Sequence, residues 1–173
     1  MALSLYDVTV PTFTQTLGAL AGVLEKAEAH CGEKGMRPDD WAGARLFSDM
    51  LPLSFQVQQA AAHSAGALEA VQSGVFSPTA TPPPETYAGL KRSVADALAS
   101  LSRYSPADVN ALEGRDVRFE FRGRALPFTA ENFLLSFSLP NFYFHATTAY
   151  DILRHNGVPL GKRDFMGNLR LKA

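Results

Sequence analysis

The sequence predicts an all-α fold: four helices packed as a bundle, with a short helix before the second and a small β-hairpin before the fourth. Three observations predict it. Apolar residues recur at three-or-four spacing through four segments, strict alternation is confined to one short stretch, and a chain of 173 residues that is 46% hydrophobic can bury one substantial core. A single domain over residues 1–173 is the expected organisation.

The first helix is expected to begin near Asp7 or Pro11, with Phe13, Leu17, Leu20, Leu24 and Ala27 on one face, and to end at Gly32 and Gly35. Pro38-Asp39-Asp40 is a helix-start signal, so a short helix through Trp41, Ala44 and Leu46 follows. The second long helix runs from Leu51 to Val71, where Val57, Ala61, Ser64, Leu68 and Val71 form a narrow stripe of apolar and small residues. His63 falls at the edge of that stripe, on the side of Gln56 and Gln59. Ala60 and Ala67 leave room beside this polar row, which makes it a candidate pocket.

Residues 77–84 are a stiff extended loop, because three successive prolines fix φ and donate no hydrogen bonds. A third helix spans Glu85 to Arg103 with Tyr87, Leu90, Val94, Leu98 and Leu101 on one face, and Ser105-Pro106 closes it. Between Val117 and Phe128 the period becomes two, Gly123 offers a turn, and a hairpin results. Two strands are marginal alone, so its aromatic face must lie on the helices.

Thr129 can cap the fourth helix, which runs to about Asn156 before a left-handed stop at Gly157. Phe133, Phe137, Phe144, Thr148 and Ile152 share one arc and Leu135, Phe142 and Leu153 another, so this helix is expected at the centre. Pro140 removes one helical hydrogen bond and predicts a kink or break just ahead of Asn141. His145 falls on the buried arc, with Asn141 one turn before and Thr148 one turn after.

Charge and motif content narrow the function classes. Sixteen basic against seventeen acidic residues give no basic field for a phosphate backbone, so nucleic acid is not an expected partner. No apolar run approaches the roughly 20 residues that cross a bilayer, and the N-terminus lacks the cationic and apolar regions of a leader, so a soluble protein is expected. The single cysteine, Cys31, fits a reducing cytoplasm, and beside His30 at a helix end it reads as a bystander thiol. HExxH, paired CxxC, GxSxG and a phosphate-cradling glycine loop are all missing from the sequence. The basic C-terminus, with Lys162, Arg163, Arg170 and Lys172, reads as a solvated tail, and Tyr143 and Tyr150 read as mostly core. His63 and His145 are the chemistry-bearing pair. Imidazoles on facing helices can hold a transition metal, although two make an incomplete site; the alternative is that both are hydrogen-bonded structural residues.

The run from His145 to Val158, HATTAYDILRHNGV, resembles the last helix of the DinB/YfiT-like superfamily. The order of elements is similar over nearly the whole chain. Ser4-Leu5-Tyr6-Asp7 and the stretch from Tyr150 to Phe165 further resemble a domain-of-unknown-function subfamily of these proteins. The resemblance implies a four-helix bundle, usually dimeric, with a divalent metal such as zinc or nickel between the second and fourth helices. It also implies metal-dependent thiol transfer or hydrolysis. By position His63 resembles the first metal ligand and His145 the last, and the middle ligand falls at Asn141 where the family has histidine. Gln59 or water would then supply a missing ligand. The other outcome is a non-catalytic dimeric module that binds a small molecule in a degenerate site, lined by Gln56, Gln59 and Thr148.

Overall fold

The structure, a computed structural model, describes residues 3–172; Met1 and Ala2, where the N-terminal reading began, lie outside them. It is mostly helical with one small sheet. Helix α1 (Leu5–Lys34) starts earlier than the apolar pattern suggests, because Ser4 and Asp7 form a capping box: the Ser4 hydroxyl accepts from the Asp7 N–H and the Asp7 carboxylate from the Ser4 N–H. Pro11 lies inside the helix, and Gly35 at φ 64° closes it. The expected short helix is only a 3-10 turn, Pro38–Trp41, and the chain through Ala44 and Leu46 is irregular.

The second helical run has three parts: α2 (Leu53–Ala61), a π turn (Ala62–Gly66) and α3 (Ala67–Ser73). Apolar spacing at a single helical period does not reveal the π turn. It widens the backbone at His63 and brings that ring from the expected edge into the interior, at 5% exposure. Gly74 at φ 82° turns the chain into β1 (Val75–Phe76). Helix α4 (Tyr87–Leu101) is capped by Thr86 and buries Tyr87, Leu90, Val94 and Leu101. The Tyr87 hydroxyl donates to the Leu24 carbonyl of α1 at 2.7 Å, and its N–H donates to Asp39 at 2.8 Å. Ser105-Pro106, expected to end a helix, instead opens one: α5 (Pro106–Asn110) has a Ser105–Asp108 capping box.

The hairpin is β2 (Asp116–Phe121) and β3 (Arg124–Thr129), antiparallel with Val117 opposite Phe128 and Phe119 opposite Leu126. Arg122 and Gly123 both take positive φ, the two-residue turn that suits a twisted hairpin. A third strand was not expected: β1 pairs parallel with β2, Phe76 beside Phe119. Thr129 caps α6 (Ala130–Asn132), which passes through a second π turn (Phe133–Ser138) into α7 (Leu139–His155). Thus the chain meets Pro140 with a wider turn ahead of it, where a kink or break was expected. Gly157 at φ 94° follows Asn156.

Packing sets the site's position. Helix α2 lies along α7, and α1 along α4. The core holds Phe13, Leu17, Leu24, Val57, Leu68, Leu90, Phe133, Phe142 and Ile152, all at zero exposure. Three residues of the expected central helix depart from it. Leu135 is 40% exposed, since an arc drawn at α periodicity loses its phase across the π turn. Phe144 is 56% exposed: Phe137, two turns earlier, is covered by Phe119 and Phe128 of the hairpin, whereas Phe144 has His145 as its ring neighbour. Tyr143, read as core, is 39% exposed.

The C-terminal segment is a solvated tail only in part: Lys162, Arg163, Arg170 and Lys172 are exposed as expected, yet the stretch docks on α1. Helix α8 (Lys162–Met166) lies on α1, where Gln15 donates to the Met166 carbonyl at 2.9 Å and Lys26 pairs with Asp164 at 2.5 Å. No described helix is long and apolar enough to cross a membrane.

Candidate functional site

His63 stands in the π turn between α2 and α3, and His145 in the middle of α7. Packing of α2 on α7 brings them face to face: the ring centroids are 6.0 Å apart and the planes within 15° of parallel. His63 is buried and His145 half-buried, so the pair spans from the interior to the surface.

Each ring has a polar partner on its Nδ1. Gln56, 2% exposed on α2, donates its Nε2 to the Leu51 carbonyl at 2.9 Å, which leaves its Oε1 facing His145 Nδ1 at 2.7 Å. An amide oxygen only accepts, so His145 Nδ1 carries the proton and Nε2 keeps its lone pair. On the other ring, His63 Nδ1 meets the Ser138 hydroxyl at 3.5 Å, a long contact. Ser138 was not singled out from the sequence, although it precedes His145 by seven residues, within about 20° on a helical wheel.

Burial dominates the electrostatics. It pushes both imidazoles down to about pKa 4, and for His63 the nearness of His145 adds to the effect. Both rings are neutral at pH 7.

The remaining predicted residues divide. Asn141 is half-buried one turn before His145, but its Nδ2 donates to the Phe137 carbonyl at 2.7 Å, leaving Oδ1 as its uncommitted end. Thr148 is buried, and its hydroxyl donates to the Phe144 carbonyl of its own helix at 2.7 Å, so it braces α7. Gln59 is half-buried one turn along α2 from Gln56. Sequence reasoning missed the aromatic surround. Phe76 and Phe137 lie 5.1 and 5.7 Å from the His63 ring, and Phe55 and Phe144 lie 5.9 and 5.3 Å from the His145 ring. Phe76 reaches His63 only because β1 joins the sheet, a non-local pairing that local spacing does not encode.

Among the described residues, no group of three or more His, Cys, Asp or Glu gathers in a metal-holding arrangement. Cys31 is fully buried, with its thiol pushed up by burial, and takes no part in the histidine site. A cavity of about 740 Å³ lies elsewhere, between α1 and the segment from Arg163 to Arg170, and shares no lining residue with the histidines. That cavity is a groove whose lining includes the small residues Gly18, Ala19 and Gly22.

Comparison with known proteins finds a matching family model and similar solved structures. The family model described as a domain of unknown function, DUF1993, matches residues 5–166. The crystal structure of a DinB family member protein from Shewanella denitrificans is 33% identical in sequence, with a TM-score of 0.81 over 98% of this chain and 95% of that one. No curated protein matches the chain.

Proposed function

The chain belongs to the DUF1993 family and is a DinB-like protein, and from that premise we propose a four-helix-bundle protein that binds a small molecule at the His63–His145 pair, with a divalent ion as its cofactor. The observation that carries the proposal is the pairing itself: two neutral imidazoles, one from the first π turn and one from α7, face one another, with His145 Nδ1 held by Gln56 and His63 Nδ1 in long contact with Ser138. Histidines that bind metals use one nitrogen for the ion and give the other to an orienting partner. On that basis the donor chemistry fits an ion held by His63 and His145 through Nε2, with the Asn141 oxygen as the third ligand.

Zinc or nickel held there would lower the pKa of a bound thiol or water, the chemistry of a thiol transferase or a hydrolase. The chain's own residues prepare the ligands. Gln56 holds His145 in the Nδ1–H tautomer, Ser138 borders His63, and burial keeps both rings unprotonated. The protein is further proposed to be cytoplasmic, which the unpaired Cys31 supports, and to work as a homodimer.

Elemental analysis of tag-free protein tests the cofactor. Near-stoichiometric zinc or nickel is expected in the wild type and its loss in both His63→Ala and His145→Ala. Full occupancy in either variant would remove that histidine from the ligand set.

A second reading is favoured by one observation: position 141 offers an amide where a third imidazole would complete the site. An amide oxygen is a poor substitute for imidazole toward zinc or nickel. The pair would then be a polar patch in a metal-free ligand-binding module, and elemental analysis after metal supplementation would find none.

A further inference from the structure

The groove of about 740 Å³ beside α1 takes no part in the histidine site. Its α1 wall recurs every four residues, from Tyr6 through Val10, Thr14, Gly18 and Gly22 to Lys26, so it runs along the helix for about 30 Å at 1.5 Å per residue. Helix α4 adds Leu98, and the C-terminal segment adds Arg163, Gly167 and Arg170. Two of the wall residues are glycines in mid-helix, where each costs helix stability relative to alanine. Internal packing requires neither, since a Cβ at Gly18 or Gly22 would meet nothing within 4 Å. What the pair provides is a floor of bare backbone.

Charge on the lining is one-sided. Three cations, Lys26, Arg163 and Arg170, stand against one carboxylate, Asp164, and that carboxylate is paired with Lys26. Among the described residues neither guanidinium forms an ion pair. Arg170 does feel Asp7, although that carboxylate is held below its ordinary range chiefly by the Ser4 N–H and hydroxyl and least by Arg170. Arg163 is therefore the cation with the least compensation.

Volume decides what fits. Spread along the helix, 740 Å³ leaves a mean cross-section of roughly 25 Å², which admits one extended alkyl chain, whereas an α-helix about 10–12 Å across would only rest on the rim. We infer that the groove is a second binding site, for a single-chain amphiphile with an anionic head: the chain lies on Gly18 and Gly22 and the head meets Arg163. Apolar burial against Val10, Ala19 and Leu98 supplies the affinity, and the guanidinium selects the sign of the head. The site is independent of the histidine pair and stands or falls without it.

Decanoate, decanol and decyltrimethylammonium share a chain and differ in the charge of the head. Each is titrated, below the concentration at which it forms micelles, into the ¹⁵N-labelled full chain while the backbone amides of Gly18 and Gly22 are followed by NMR. Decanoate should shift both saturably, and decyltrimethylammonium should need roughly tenfold higher concentration or more. Gly22→Leu puts a side chain into the groove and a better helix former into α1, so it should melt no lower than wild type and lose decanoate binding. Arg163→Gln should weaken decanoate several-fold and leave decanol unchanged. Equal binding of the cation, or decanoate affinity unchanged in either variant, would overturn the inference. So would a wild-type dimer that Gly22→Leu dissociates, which would give the groove to a second copy of the chain. Co-sedimentation with phosphatidylglycerol vesicles and no response to decanoate would also overturn it, by assigning the cations to a bilayer surface.

Discussion

Gln56 shows how one side chain sets the chemistry of another. Its amide is oriented by the Leu51 carbonyl, and that orientation dictates which nitrogen of His145 holds the proton. In the sequence Gln56 was visible as a pocket residue by its position on a helix face. Its effect on His145 was not, because the two are 89 residues apart and the contact depends on how α2 meets α7. The histidines themselves were legible as a pair of polar residues at helix positions. Their burial was misjudged in both directions, His63 lying deeper and His145 shallower than straight wheels place them. Burial also makes a measurable statement about pH. Both folded pKa values, about 4, lie below the ordinary 6.5, so the unfolded chain binds more protons throughout that interval. The resulting stability is fully present above pH 6.5 and is lost as pH falls toward 4. For buried His63 the loss is at most about 3 kcal/mol, at 1.36 kcal/mol per pKa unit, and solvent screening makes it smaller for half-buried His145. Urea unfolding between pH 7.5 and 4.5 should show this decline, and His63→Gln should flatten it. An equally steep profile in the variant would place the titration elsewhere.

At the scale of elements, helices that end on capping chemistry were the most readable. Thr129 and Gly157 bracket the last helical run as their side-chain and backbone properties suggest. The π turns were unreadable, because a wheel assumes one period and a π turn changes it within five or six residues. Pro140 did signal a disturbance, and the structure places it as a widened turn upstream of the proline. Helix α8 was missed because its attachment lies in side chains of α1. Its following residue, Gly167, has φ 60° and ψ −145°, and a Cβ there would come within 2.9 Å of the Ala19 Cβ. Gly167→Ala should therefore destabilise the protein by roughly 1–3 kcal/mol, from backbone strain and overpacking together. The check is a thermal melt paired with limited trypsin digestion, which should cut sooner at Lys162 and Arg163. An unchanged melt and digestion pattern would show that the α8 contact contributes nothing.

The molecule as a whole follows the hydrophobic periodicity of its sequence, and the departures are non-local. Apolar spacing located the helical segments because each must bury one face, and alternation located the hairpin for the same reason. Nothing in residues 75–76 announces a strand. Val75 and Phe76 become one only when β2 arrives beside them from forty residues further along. The same distance hid the aromatic lining of the histidine site, which draws on β1, the second π turn, α2 and α7. Residues 50–68 and 132–150, the stretches that carry His63 and His145, contain no Asp, Glu, Lys or Arg, and this has a consequence for how the protein responds to its medium. Raising salt from about 0.1 M to 1 M shortens the screening length from about 10 Å to about 3 Å, which weakens attraction between exposed ions and leaves contacts between neutral rings almost untouched. The ring signals of ¹⁵N-labelled His63 and His145, followed across that range, should stay where they are, whereas a progressive shift of either ring would reveal a charged neighbour. A helix contact built this way is blind to the ionic strength outside.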